Sequence, residues 1–159
     1  IRSEDTDGLN IRTENIALGH RDEEKMMYVE TVNQGQSCSL LKPKEHLKLY
    51  PSITFDSQVE VNQTFLDKYV MENKLDVDSF NFINIDVQGY ELEVFKGASE
   101  TLNHIDYIYT EVNTVEVYEN CARLNELDDF LGDVYGFERV VTKLIKGDTW
   151  GDAFYVKKN

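Results

Sequence analysis

Positive charge is scarce in this sequence. Sixteen Lys and Arg stand against 30 Asp and Glu, a formal net charge of −14 at pH 7. Polyanionic partners select clustered Lys and Arg, so general affinity for nucleic-acid backbones or anionic membrane surfaces is excluded. Cysteine is scarce as well: Cys38 and Cys121 lie far apart and neither belongs to a CxxC pair, which argues against a zinc or redox site. One structural disulfide and two unpaired thiols are the alternatives, and a reducing compartment favours the second. With only 2 Pro, 41% hydrophobic and 11% aromatic residues, the acidic chain is not a disordered tail. Its longest apolar runs are a few residues, too short to span a bilayer. No export signal is recognisable, so the expected location is cytoplasmic. The 159 residues suffice for one domain with one substantial core, and no repeat or linker divides them.

What is present is a strand–helix alternation. The first ten residues are polar, Asn15 to Leu18 opens a short apolar stretch, and Met26 to Val32 reads as a strand. Lys42 to Tyr50 is expected to be a short helix before Pro51, and Ile53, Phe55, Val59 and Val61 alternate as in a half-buried strand pair. Thr64-x-x-Asp67 has the form of a capping box opening a helix. Phe80 to Asp86 reads as a strand ending at a loop-forming Gly89. Tyr90, Val94, Ala98 and Leu102 then recur every fourth residue, the signature of an amphipathic helix on a sheet. Gly97 inside that pattern costs roughly 1 kcal/mol against Ala, a penalty that close packing would offset. Tyr107 to Val112 is the next strand, Leu124, Leu127, Phe130 and Leu131 mark the following helix, and Phe137 to Ile145 with Ala153 to Val156 close as a hairpin.

This alternation predicts an α/β domain with a mostly parallel sheet and a C-terminal antiparallel hairpin. In such sheets the working surface lies beyond the carboxyl ends of the strands. That directs attention to Asp86, Val87, Gln88 and Gly89 after one strand, and to Glu111, Val112 and Asn113 at the end of the next.

The run Ile85-Asp86-Val87-Gln88-Gly89-Tyr90-Glu91-Leu92-Glu93-Val94-Phe95-Lys96-Gly97-Ala98 resembles the central signature of FkbM-type methyltransferases. Thr64-Phe65-Leu66-Asp67, Tyr109-Thr110-Glu111-Val112, Tyr118, Gly136-Phe137 and the closing Gly151 to Val156 are similar to further elements of that family in the same order. The resemblance implies a class I, Rossmann-like fold that uses S-adenosylmethionine, usually to methylate a hydroxyl of a sugar, glycolipid or natural product. The family's Gly-rich first strand–loop and the acidic residue that holds the ribose have no counterpart here, since Gly8 stands alone in a polar segment. Residues 1–159 therefore read as a partial domain lacking its first strands. The strand ending at Asp86 is then expected to expose an apolar edge or to pair with the segment around Ile16.

Methyl transfer to an alcohol needs acceptor and donor in line and a destination for the hydroxyl proton. Asp86 and Glu111 are the candidate catalytic carboxylates. Asp86, Val87, Gln88 and Gly89 are the expected cofactor-side loop, and Glu91, Asn113 and Tyr118 the expected acceptor contacts. For Asp86 the competing structural role is binding amides of its own loop, and for Glu91 it is favouring a helix N-terminus. Asp86, Glu111 and Asn113 also form an oxygen set of the kind a Mg²⁺ ion accepts, although hydrogen bonding to acceptor hydroxyls is the preferred use. The partner implied is a small-molecule or glycan substrate. The second reading, from another class, is a non-catalytic carbohydrate-binding or interaction domain that keeps the fold.

Overall fold

The computed structural model describes residues 11–158, so the polar opening with Gly8 lies outside the described residues. The described residues build two sheets. The smaller holds β1 (Ala17–Leu18), β2 (Glu23–Val29) and β3 (Ser57–Thr64) in the order β1-β3-β2, with β1 parallel and β2 antiparallel to β3. The larger holds β4 (Phe82–Ile85), β5 (Tyr107–Asn113), β6 (Phe137–Ile145) and β7 (Trp150–Lys157) in the order β4-β5-β7-β6.

The larger sheet is mixed, which corrects the expectation of a mostly parallel one. Only β4 and β5 run parallel, in the register Ile83↔Ile108, because a crossover carrying α3 (Glu91–Lys96) joins them. After α4 (Leu124–Asp129) the chain enters β6 at the far edge and returns through the turn at Lys146–Asp148, where three successive residues have positive φ. β7 thereby inserts between β6 and β5, antiparallel to both. The C-terminal antiparallel hairpin is as expected.

Period-two alternation decides what the larger sheet buries. Along β5 Ile108 and Thr110 are buried while Tyr107 and Tyr109 are exposed. The buried face, with Ile85, Val112, Ala153 and Tyr155, packs against Val94, Phe95 and Ala98 from α3 and its C-terminal turn and Leu127 and Leu131 around α4. β4 is an edge strand paired with β5 alone, and Phe82 on it is 51% exposed. The segment after Ile16 does not pair with β4: Ala17 and Leu18 pair with β3.

Two local expectations change. The helix expected over Tyr90 to Leu102 ends at Gly97, and a 3₁₀ turn at Thr101–His104 keeps Leu102 in the core. No capping box opens α2 (Leu66–Glu72), whose N-cap is Phe65. The Asp67 carboxylate instead accepts hydrogen bonds from Ser99 Oγ, Glu100 N, Thr101 N and Thr101 Oγ1 at 2.7–3.0 Å, fastening α2 to that 3₁₀ turn. Cys38 and Cys121 are both free thiols. Among the described residues no helix is long and apolar enough to cross a membrane.

Candidate active site

β4 ends at Ile85 and the chain turns at once. Gln88 and Gly89 adopt φ of 55° and 94°, both left-handed. At Gly89 a β-carbon would stand 2.9 Å from Cys121 Cβ and 3.1 Å from Tyr118 Cδ2, so this position needs glycine for space as well as for conformation. Beneath the loop, buried Glu91 accepts hydrogen bonds through Oε1 from Val87 N at 3.1 Å and Gly89 N at 3.0 Å. Its visible contacts are thus to the loop backbone, the kind of role weighed in the sequence for Asp86. Asp86 itself is exposed, at the tip.

The two strand ends meet through one side chain. Gln88 Nε2 donates to Asp86 Oδ1 at 2.5 Å and to Glu111 Oε2 at 2.9 Å. Gln88 Oε1 accepts from the Tyr118 hydroxyl at 2.8 Å, which also lies 3.1 Å from the Ser37 carbonyl oxygen. The Gln88 carbonyl oxygen accepts from Ser39 Oγ at 2.7 Å, so both side chain and backbone of this residue are held. Asn113, fully buried, donates through Nδ2 to Glu111 Oε1 at 3.4 Å, and its Oδ1 has no partner.

Burial governs the electrostatics. Glu91 is pushed up to about 7, first by loss of hydration and despite the two loop amides, with the Asp86 charge adding to the shift. Glu111, 4% exposed, is raised well above the ordinary glutamate range by burial and then by the neighbouring Glu91 and Asp86 charges, with Asn113 and Gln88 pulling it back. Tyr118 is raised by burial and by the same three carboxylates, so its phenol stays protonated and acts as a donor. Asp86, Glu91 and Glu111 each offer an oxygen within 4.8 Å of the others, a spacing a hard divalent ion accepts. Glu91 Oε1 is engaged by two amides, and Asp86 Oδ1 and Glu111 Oε2 by Gln88.

Two cavities flank the loop, and Asp86 lines both. The larger, about 640 Å³, is walled by Asp86, Gln88 and Glu111 together with Ser37, His46, Tyr50, Ser52 and Trp150. The smaller, about 490 Å³, is walled by Asp86, Val87 and Tyr90 with Ala17, Leu18, Met27, Leu40 and Val61, and carries Asn15, Ser39, Glu60 and Asn62 among them. Val87 and Gln88 therefore part company: Val87 faces the smaller cavity and Gln88 the larger. Glu91, Asn113 and Tyr118, the expected acceptor contacts, are buried and line neither cavity.

Two of the three histidines are paired with acidic side chains: His20 with Glu93 Oε2 at 2.5 Å, and His104, which ends the 3₁₀ turn, with Asp78 at 2.6 Å. Asp128, in α4, accepts from Arg139 and from the Tyr155 hydroxyl, away from both cavities. The sequence reading missed His46, Tyr50 and Trp150 as cavity residues. Pro51 beside a short helix and Trp150 opening a strand give no periodic signal that the two segments converge.

A family model described as the methyltransferase FkbM domain matches residues 4–139. The 2-O-methyltransferase NoeI of Sinorhizobium fredii is 38% identical over 95 residues, 60% of this chain and 38% of that protein. The chain thus spans well under half the length of this curated relative. No solved structure matches it significantly. With the family's central signature forming the loop that joins two carboxylates at adjacent strand ends, and its model spanning most of the sequence, the chain belongs to the FkbM methyltransferase family.

Proposed function

We propose that the chain is the acceptor-side part of an S-adenosylmethionine-dependent O-methyltransferase acting on a hydroxyl of a sugar or other small hydroxylated substrate. The observation that carries this reading is that Asp86 borders both cavities, so a donor in one and an acceptor in the other meet at its carboxylate. The residues present fit part of the donor. The smaller cavity offers Ala17, Leu18, Met27 and Val61 to a flat apolar ring, Asn15 and Asn62 to its polar edge, and the Asp86 carboxylate to a cationic sulfur. When bound, this group supplies an electrophilic methyl on a sulfonium.

The rest is the work of the chain's own residues. Asp86, held by the Gln88 amide, orients the acceptor hydroxyl at the junction of the cavities. Glu111 takes the hydroxyl proton. A carboxylate raised by burial is basic enough to do so near neutral pH, and matched proton transfer of this kind contributes about 10²–10⁴ in rate. The name of the relative from Sinorhizobium fredii, a 2-O-methyltransferase, supports oxygen as the methylated atom.

The test is transfer of a labelled methyl group from S-adenosylmethionine to methyl hexosides by a polypeptide of the relative's full length carrying this chain. Asp86→Asn is expected to cut turnover by about 10²-fold or more while leaving donor affinity within a few-fold. Failure of that longer protein to bind the donor overturns the enzymatic reading and leaves the carbohydrate-binding one.

A further inference from the structure

We propose that His46, Tyr50 and Trp150 form the carbohydrate-recognition wall of the larger cavity, opposite in chain position to the carboxylates and distinct from them in role. The proposal rests on the acceptor reading above and names what selects the acceptor. The three residues come from two segments, the short helix α1 (His46–Leu49) with its C-cap Tyr50 and the first residue of β7, and all three line the cavity that Asp86 and Glu111 also line.

Three observations support it. First, the wall is amphipathic in the way a sugar ring requires: aromatic faces to lie against C–H groups, beside hydroxyl and imidazole groups for the equatorial oxygens. Trp150 Nε1 donates to the Tyr50 hydroxyl at 3.1 Å with ring centroids 6.3 Å apart, which fixes the two rings and leaves the tyrosine hydroxyl its own proton to donate. Second, His46 is only 3% exposed and its Nδ1 has no hydrogen-bond partner. Buried polar atoms are almost always satisfied, so an unpartnered imidazole nitrogen in a cavity wall points to a ligand group that pairs with the ring. Third, the imidazole is rigid. Tyr50, Phe55 and Tyr118 surround it with centroids at 5.1, 5.3 and 5.5 Å. Its burial also lowers its proton affinity, against the opposing charge of Glu30, so the ring is neutral and offers one donor and one acceptor.

Trp150 is the single tryptophan of the chain, so its fluorescence reports on this wall alone. The experiment titrates the 159-residue chain, without any methyl donor, with methyl hexosides and with lactose at millimolar concentrations. The expected result is a saturable change in Trp150 emission together with a shift of the His46 imidazole ¹⁵N resonances. His46→Phe keeps an aromatic ring among the same three neighbours and is expected to weaken the sugar about tenfold, the loss of one good hydrogen bond. Should that variant fail to fold, the wild-type ¹⁵N shifts decide alone. No change in Trp150 emission and in the His46 resonances, or an unaltered affinity in His46→Phe, overturns the proposal. Because no donor is used, sugar binding here stands or falls apart from methyl transfer: the enzymatic reading is overturned only by the longer protein's failure to bind the donor, and this proposal only by the absence of sugar binding.

Discussion

Gly97 packs directly on Gly19. A β-carbon at Gly97 would stand 1.9 Å from the Gly19 carbonyl oxygen and 2.8 Å from Phe65 Cβ, so the end of α3 touches the end of β1 and the start of α2 at once. The contact ties α3 to the smaller sheet and to α2: Gly19 N donates to the Thr64 carbonyl within that sheet, and Asp67 N donates to the Gly97 carbonyl. Helix propensity alone favours alanine at such a position by about 1 kcal/mol. Backbone overlap of this size cannot be relieved by a rotamer change. Gly97→Ala is therefore expected to destabilise the fold by about 2–3 kcal/mol, read from urea unfolding. A neutral or stabilising effect would show that the sheets are not joined here.

Asp67 makes the second join. Its carboxylate accepts four hydrogen bonds from Ser99, Glu100 and Thr101, two of them backbone amides at the entry to the 3₁₀ turn. Asp67→Ala leaves those donors without a partner and is expected to cost about 2–3 kcal/mol, with Asp67→Asn recovering part of it. Equal loss in both variants would mean that charge rather than the acceptor geometry matters.

These two residues also show what the sequence made legible. The Gly97 anomaly announced close approach before any coordinates, because an unfavourable residue in a periodic pattern needs a compensating contact. It could not say with what, and the partner proved to be the smaller sheet. The spacing of Asp67 three residues after Thr64 predicts a local cap, yet its hydrogen-bond donors lie more than 30 residues away. Local patterns report on local geometry, and a carboxylate near a helix start satisfies either environment. The convergence of Asp86 and Glu111 was legible because strand ends in an α/β sheet share one edge. The cavity wall of His46, Tyr50 and Trp150 was not, because it is made by irregular segments. The direction of β7 was hidden too, since a hairpin pattern does not say beside which strand it inserts.

The buried carboxylates make stability depend on pH in an unusual direction. Glu91 in the folded chain is raised to about 7 and Glu111 is raised as well. The folded state then binds more protons than the unfolded chain across the interval from the ordinary glutamate value to about 7. Their contribution is fully present below that interval and is lost as pH rises through it. Between pH 5 and 8 the unfolding free energy is expected to fall by on the order of 3 kcal/mol from Glu91 alone. In Glu91→Gln, which keeps an oxygen for the Val87 and Gly89 amides, that slope should flatten and the chain should be more stable than wild type at pH 8. Urea melts at several pH values measure it. Stability rising over the same range would rule out buried carboxyls with raised proton affinity.

Gln88 is the position at which fold and chemistry meet. Its left-handed backbone, at a φ of 55°, costs a non-glycine residue on the order of 1 kcal/mol, and its side chain is fully engaged there. The amide is needed because it can serve two acceptors and one donor together: Asp86 and Glu111 through Nε2 and Tyr118 through Oε1. Its hydrogen bond favours the charged form of Glu111, offsetting part of the shift that burial imposes. Gln88→Met, similar in length and without the amide, is expected to raise the Glu111 midpoint further. If Glu111 receives the proton, the acid limb of the methyl-transfer pH profile moves up with it, while Gln88→Glu adds a fourth carboxyl and raises the midpoint more. Carboxyl ¹³C titration in the chain and the kinetic profile in the longer enzyme should shift together. A Glu111 midpoint unmoved by Gln88→Met would show that the amide positions Asp86 alone.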